Sequence, residues 1–408
     1  MPTIDEQVEI LMAGTEYGDP QIKETMTREL RERLIQAEKD GRPLRVYCGY
    51  DPRKPDLHLG HTITMRKLRH FQDFGHEVTF LIGTFTSLIG DPSDVDKARV
   101  QLTADEVEEN ARTYQAQAFR ILDPAKTIVR RNDEWLSKLD FRDIIRLAQN
   151  FTVQQFLARD NFTRRLESGE PIYLHEMFYS LMQAYDACAM QTDVQVGGQD
   201  QLFNIVVAGR KLQQALGQEP LVAIIMGESL PGTDGELKMS KSMGNHIPLM
   251  TTPEDMYGKV MSVPDRAMPI YHKLLFGYTA AQLRELDSLM LENPMGIKKA
   301  LAYRVVQEFY GTDGAERGAK HFATVIQGAG LPDDMPEFAI RAPTPVVDIL
   351  AEAGLTSSKG DAKRQIQGGG VRRDGEKVEQ FDAVVAPDAL PVVLQVGKRK
   401  FVRVVAGG

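Results

Sequence analysis

Cysteine is almost missing from this 408-residue chain, with Cys48 and Cys188 the only two. Two isolated thiols cannot build a disulfide framework or a structural zinc site, so both are read as small buried residues and no zinc is expected. No stretch approaches the ~20 consecutive apolar residues that a membrane span requires, and the N-terminus lacks the basic-then-apolar pattern of a secretory signal. A cytoplasmic protein with no membrane partner is expected. An excess of positive charge is also lacking: the net charge is −8, which argues against a protein coated with nucleic acid. There are no repeats and no low-complexity tracts. With 42% hydrophobic residues over this length, the chain can bury a large core, and two or three domains are predicted.

The charge that is present is unevenly placed. Residues 341–408 carry 11 Lys and Arg against 8 Asp and Glu, a net of +3, and the remaining 340 residues hold 38 against 49, a net of −11. A basic module on an acidic body fits an enzyme that engages a polyanion at one end.

Two short motifs carry the chemistry. His58-Leu59-Gly60-His61 lies near the start and Lys238-Met239-Ser240-Lys241-Ser242 far downstream. Transfer of adenylate to a carboxylate gathers negative charge on phosphate oxygens in the transition state, and pre-aimed donors must meet it. Two imidazoles at the start of a helix supply such donors, helped by the positive end of that helix. Gly60 leaves room for a flat purine against the backbone. The lysine motif, between Gly235 and Gly244, reads as a mobile cationic loop able to clamp a leaving pyrophosphate. Read singly, the first motif is equally a plain helix start and the second plain solvated charge; their joint presence in this order is the specific signal.

Residues 1–40 are dense in charged helix formers and are predicted helical. Leu44 to Gly49 reads as a short buried strand, the helix opened by the histidine motif runs through Met65, Leu68 and Phe71, and Val78 to Gly83 reads as a second strand. Thr103 and Glu106 form a capping box before a long helix. This alternation predicts an α/β fold whose Rossmann-like parallel sheet occupies residues 41–235, with ligands beyond the carboxyl ends of the strands. Residues 140–190 interrupt it with a largely helical insertion, Phe141 to Leu166 and His175 to Ala189. The lysine loop then opens an α-helical domain over residues 236–330, in which Thr279 caps a helix with Leu283, Leu286 and Met290 on one side. Pro332, Pro336, Pro343 and Pro345 mark a linker, placed at residues 331–342. Residues 343–408 form a small α+β domain: a helix through Lys359, Lys363 and Arg364, three glycines from Gly368 to Gly370, and a hairpin turning at Asp374-Gly375.

From Tyr47-Cys48-Gly49-Tyr50-Asp51-Pro52 to His61, then Tyr179 to Asp186, Gly197-Gly198-Gln199-Asp200-Gln201 and Lys238 to Ser242, the chain resembles class I aminoacyl-tRNA synthetases, and among them the bacterial tyrosyl-tRNA synthetase family. The likeness spans nearly the whole chain, and the C-terminal helix, glycines and hairpin resemble the S4 RNA-binding domain of that family. It implies a catalytic set of His58, His61, Lys238 and Lys241. It implies ATP contacts from Gly49, Asp51, Gly60, Thr64, Asp200 and Lys241. For substrate tyrosine it implies Tyr47 and Asp186 at the phenol, Asp91, Tyr179 and Gln183 at the α-ammonium, and Gln201 at the reacting carboxylate. Lys359, Lys363, Arg364, Arg372 and Arg373 would grip tRNA. The implied partners are ATP with Mg²⁺, L-tyrosine, tRNA(Tyr) and a second copy of the chain, met through the helical insertion to make a homodimer.

The residue chemistry agrees, since a carboxylate accepts a phenol proton and an aspartate attracts a cation. Asp186 in an apolar helix has no easy structural role, because an unpaired buried carboxylate is costly. Asp91 before Pro92 also suits a turn, and Tyr185 suits the core. Lys97 and Arg99 are further candidates for the phosphates, with solvated surface the competing reading. Met239-Ser240 is the class-wide form of its motif and so points to the class rather than the amino acid; Gln199 is unusual within its segment. Three rivals are the sister tryptophan enzymes, a non-catalytic RNA-binding relative, and an adenylate-forming nucleotidyltransferase that does not use tRNA. The S4-like tail, the intact histidines and lysines, and Asp186 weigh against them.

Overall fold

The computed structural model describes residues 2–93, 100–326, 335–397 and 400–407. Its centre is a parallel sheet of β1 (Arg45–Tyr50), β2 (Glu77–Ile82), β3 (Thr127–Arg131), β4 (Val194–Gly198) and β5 (Val222–Met226), in the order β3-β2-β1-β4-β5. Strands covered on both faces by crossover helices read as apolar runs, and every residue of β5 is buried. β1 has β2 on one side and β4 on the other. The connections leaving β1 and β4 therefore part in opposite directions and open a crevice at their carboxyl ends.

Residues 1–40 hold the expected helices, Ile4–Met12 and Pro20–Asp40, but the segment between them joins the sheet. Glu16 N donates to Ile225 O at 2.9 Å and Gly227 N to Gly14 O at 3.0 Å, with Thr15 paired antiparallel to Met226. These bonds occupy the open edge of β5, where unpaired backbone groups would otherwise face solvent.

One predicted helix is broken. The capping box at Thr103 forms, yet the helix it starts ends at Ala111, and a second runs Tyr114–Ala118. Between them Thr113 donates through Oγ1 to Pro55 O at 2.6 Å, and the Tyr114 hydroxyl donates to Lys54 O at 2.8 Å, so side chains at the break grip the segment before the histidine motif. The stretch Phe141 to Leu166, expected to be largely helical, is three helices, Phe141–Ala148, Val153–Leu157 and Asp160–Ser168. Asp140 and Thr152 each start one with a capping box, which competes with a continuous helix. The last inserted helix, Leu174–Ala189, leads directly into β4.

The chain divides into two compact units, Met1–Thr251 with Ser262–Leu301, and Thr252–Met261 with Ala302–Gly408. The lysine motif thus falls with the sheet, not with a separate helical domain beginning at residue 236. In the first unit Thr279 and Gln282 form a capping box, and the helix Ala280–Glu292 buries Leu286. Part of the segment expected as a linker, Pro332 included, lies outside the described residues. In the second unit the strands Glu337–Ile340, Lys400–Ala406, Val392–Val396, Val371–Arg373 and Glu376–Lys377 bond in that order. The helices Val346–Glu352 and Lys359–Gln367 share a core with them that includes Ile349, Leu350, Ile366, Leu394 and Val402. The hairpin turns at Asp374 (φ 50°) and Gly375 (φ 89°), both left-handed as a two-residue turn of this twist requires. No helix among the described residues is long and apolar enough to cross a membrane.

Candidate functional site

Backbone pairing brings the two motifs together. Leu59 N donates to Ile247 O at 3.0 Å and Leu249 N to Leu57 O at 2.9 Å, with His58 paired antiparallel to Pro248. The segment just after the lysine motif is therefore laced to the segment that begins the histidine motif. Met239 is 2% exposed and packs at Gly60: a Cβ on Gly60 would lie 3.0 Å from the His58 ring and 3.7 Å from Met239 Cβ. The space beside Gly60 is thus bounded by His58 and the lysine loop, and Gly60 itself lines the cavity.

His58 and His61 flank the single turn Leu59–His61 that opens the helix Thr62–Asp73. Their ring centroids are 3.9 Å apart, and His58 N–H donates to His61 Nδ1 at 3.2 Å. An Nδ1 that accepts leaves Nε2 as the N–H donor of His61. Burial depresses both rings, His61 to about 4 and His58 well below its usual value. At neutral pH they are uncharged donors, not imidazolium ions. Thr64 on the same helix shares a 2.8 Å hydrogen bond with the Tyr50 hydroxyl at the end of β1.

The two lysines part company. Lys238 Nζ lies 3.3 Å from Asp200 Oδ1 and faces the cavity, whereas Lys241 Nζ lies 2.5 Å from Asp56 Oδ2 and does not line it. The structure thus brings Lys238 to the expected place and turns Lys241 aside. Asn245, buried and not singled out from the sequence, organises the loop: its Oδ1 accepts from Ser240 N at 2.8 Å and its Nδ2 donates to Asp234 Oδ2 at 2.5 Å. An asparagine in a polar, glycine-flanked loop carries no sequence signal of that role.

At the other end stands Asp186, 2% exposed, on the last inserted helix. Trp135 Nε1 donates to its Oδ1 at 2.7 Å and Asn132 Nδ2 to its Oδ2 at 3.2 Å. Burial still pushes its carboxyl up to about 8, against the pull of those two bonds. Among the described residues, no hydrogen-bond partner reaches the buried Tyr47 hydroxyl or Gln183 Oε1. Burial, and after it the charge of Asp186, raises the Tyr47 phenol well above its usual value, and both groups line the same cavity. Asn132 and Trp135 follow β3 and were missed, as no motif surrounds them.

Between these ends lie the acids. Asp51 accepts from Thr86 Oγ1 at 2.7 Å and from the Tyr179 hydroxyl at 3.1 Å, and burial pushes it up to about 6. Asp91 accepts from Ser93 N at 2.8 Å, the expected turn, and through its other oxygen from Gln201 Nε2 at 2.5 Å. Gln201 Nε2 also reaches Asp200 Oδ2 at 2.9 Å. Among the described residues, every candidate for the nucleotide and the amino acid except Lys241 lines one cavity of about 680 Å³, Gly49 included. Lys97 and Arg99 lie outside the described residues.

The tRNA candidates sit in the second unit, on the helix Lys359–Gln367 and the strand Val371–Arg373. Lys359 pairs with Asp348 at 2.9 Å, Arg364 with Asp361 at 3.5 Å and Arg373 with Asp374 at 4.0 Å. Lys363 Nζ stands 5.5 Å from the centre of the Phe381 ring, and Arg372 donates to Gly375 O at 2.8 Å.

The family described as tRNA synthetases class I (W and Y) matches residues 39–327, and the tyrosine–tRNA ligase SYY-like C-terminal domain matches residues 327–404. A tyrosine–tRNA ligase of Thermotoga maritima is 48% identical over 92% of this chain and 94% of its own length. One of Salinibacter ruber is 43% identical over 99% and 97%. The fold matches a C-terminally truncated mitochondrial tyrosyl-tRNA synthetase of Aspergillus nidulans (TM-score 0.62, 22% identity, 79% of this chain and 94% of that one). It also matches a tyrosyl-tRNA synthetase of Archaeoglobus fulgidus complexed with L-tyrosine (TM-score 0.59, 23% identity, 78% and 99%). With the first family spanning residues 39–327 and relatives up to 48% identical along nearly the full length, the chain belongs to the class I tRNA synthetases (W and Y), among the tyrosine–tRNA ligases.

Proposed function

We propose that this chain activates L-tyrosine with ATP and passes it to the 3′ end of tRNA(Tyr), both steps taking place in the one cavity. In the first step a carboxylate oxygen of tyrosine attacks the α-phosphorus of Mg-ATP. The bond to the bridging oxygen breaks, and pyrophosphate leaves. In the second a ribose hydroxyl at the tRNA end attacks the acyl carbon, losing its proton as AMP departs. No side chain forms a covalent bond; catalysis is placement and charge stabilisation.

The observation that carries this reading is the lacing of residues 57–59 to 247–249, which sets His58, His61 and Lys238 at one end of a cavity whose other end holds Asp186 and Tyr47. The neutral histidines offer N–H donors to the α-phosphate, and Lys238 and Lys241 meet the leaving pyrophosphate, Lys241 after release from Asp56. Gly49, Gly60, Thr64 and Asp200 hold the nucleotide, with Asp51 between nucleotide and amino acid. Asp186 and Tyr47 read the phenol; Asp91, Tyr179 and Gln183 hold the ammonium; Gln201 stands by the carboxylate. Lys359, Lys363, Arg364, Arg372 and Arg373 bind the tRNA backbone. A homodimer through the insertion is supported by exposed Phe141, Ile145, Val153 and Leu174 on neighbouring inserted helices.

Pyrophosphate exchange measured with each of the twenty amino acids should respond to tyrosine. Exchange with tryptophan alone rejects the assignment. His61→Ala should lower the exchange rate by about 10²–10³, the usual loss for one donor to a charged transition state, with tyrosine affinity largely kept. An unchanged rate refutes the role given to His61.

A further inference from the structure

Arg159 lies where the insertion passes from Val153–Leu157 to Asp160–Ser168, and it is only 5% exposed. A guanidinium out of water must be bonded on every side or it destabilises the fold. Its Nη1 donates to Ser180 Oγ and its Nη2 to Ser93 Oγ, each at 2.7 Å, and Nη2 stands 4.0 Å from Asp91 Oδ1. The rings of Phe203 and Phe162 lie 5.0 Å and 5.3 Å from its central carbon. What it grips is specific. Ser93 follows Asp91 by two residues, and Ser180 is next to Tyr179. Ser180 Oγ donates in turn to Asn204 Oδ1 at 2.7 Å, and Asn204 Nδ2 donates to Gln201 Oε1 at 3.0 Å. Gln201 closes the circuit on Asp91. A second tether comes from the same junction, where Asn161 Nδ2 donates to Pro92 O at 2.9 Å.

We propose that Arg159 is a positioning residue for the amino-acid site: through Ser93 and Ser180 it fixes the orientation of Asp91 and Tyr179 toward the substrate α-ammonium, and so ties tyrosine affinity to the inserted helices. This rests on the assignment of Asp91 to the ammonium. The planar fork is the working feature, since one cation must hold two hydroxyls on different elements; a lysine keeps the charge and loses one of the two. Any strain placed on the insertion reaches the ammonium loop by the same two bonds.

The test compares full-length Arg159→Gln and Arg159→Lys with the parent in pyrophosphate exchange. It adds equilibrium binding of tyrosine and of 3-(4-hydroxyphenyl)propionate, which lacks the ammonium. Both variants should raise the tyrosine KM about tenfold or more, with the ATP KM held within about twofold, and tyrosine should lose affinity while the des-amino acid does not. Ser93→Ala, with little volume lost, should shift tyrosine alone in the same direction and guards against a misfolded arginine variant. Asp91→Asn separates the two layers of the claim. If it weakens tyrosine selectively and the Arg159 and Ser93 variants do not, the positioning role is overturned and the ammonium assignment stands. If no variant distinguishes the two ligands, the ammonium assignment itself falls. Equal loss of both ligands in Arg159→Gln reduces the residue to packing and also overturns the proposal.

Discussion

Burial pushes the Asp186 carboxyl from the ordinary carboxylate range up to about 8, while hydrogen bonds from Trp135 and Asn132 pull the other way. Between those limits the folded protein holds a proton that the unfolded chain has released, so this group favours folding at low pH and less so as pH rises. The contribution is complete below the unfolded value and is lost as pH climbs through the folded one. Asp186→Asn cannot titrate. Its melting temperature should therefore gain on the parent as the ligand-free proteins are taken from about pH 4 to about pH 8, and a constant difference across that range rejects the assignment. In Asp186→Ala, preference for tyrosine over phenylalanine should fall by about tenfold to a hundredfold, in the range of the ~1–3 kcal/mol cost of leaving a buried hydroxyl without its partner; equal selectivity counts against the pocket. At this scale the sequence spoke through residues whose chemistry clashed with their pattern, such as an acid in an apolar helix. It was silent on Asn132 and Trp135, which come from the segment after β3 and look like any other surface turn. It did not foretell the pairing of Lys241 with Asp56, because the spacing of two loop lysines does not say which of them turns that way.

Gly83, one residue beyond β2, shows what the ends of the strands must leave empty. A Cβ there would lie 2.1 Å from Asp51 Oδ1 and 2.5 Å from Thr86 Oγ1, so Gly83→Ala must displace the carboxylate that receives the Tyr179 hydroxyl. Pyrophosphate exchange should drop by about tenfold, roughly 1.4 kcal/mol, with the overall fold retained by circular dichroism. Exchange at the parent rate means that Asp51 relaxes without consequence. Most elements of the sheet were legible because parallel strands buried on both faces are apolar runs ended by glycine, as in β1 and β4. The edge pairing of Gly14 to Glu16 was not, since its bonds are made by backbone and leave no side-chain pattern. The helix begun at Thr103 was overread for a related reason: it breaks where the Thr113 and Tyr114 hydroxyls reach Pro55 and Lys54, partners far off in the chain that no local pattern announces.

Among the described residues, the second unit's C-terminal core is built by Phe338 and residues from Ile340 to Val404, none of which lines the cavity. A chain ending at residue 342 should keep pyrophosphate exchange and lose tRNA charging by about tenfold or more, and full-length Lys363→Glu with Arg372→Glu should show the same split through lost phosphate contacts. Normal charging by both removes the tail from tRNA binding. The chain also has a single indole, Trp135, and it is bonded 2.7 Å from the Asp186 carboxylate. Tryptophan emission from the whole protein is therefore light from a ring bonded to the carboxyl group proposed to read the phenol. The molecule carries its own occupancy gauge, readable in a cuvette without a dye, and undiluted by a second emitter of its kind.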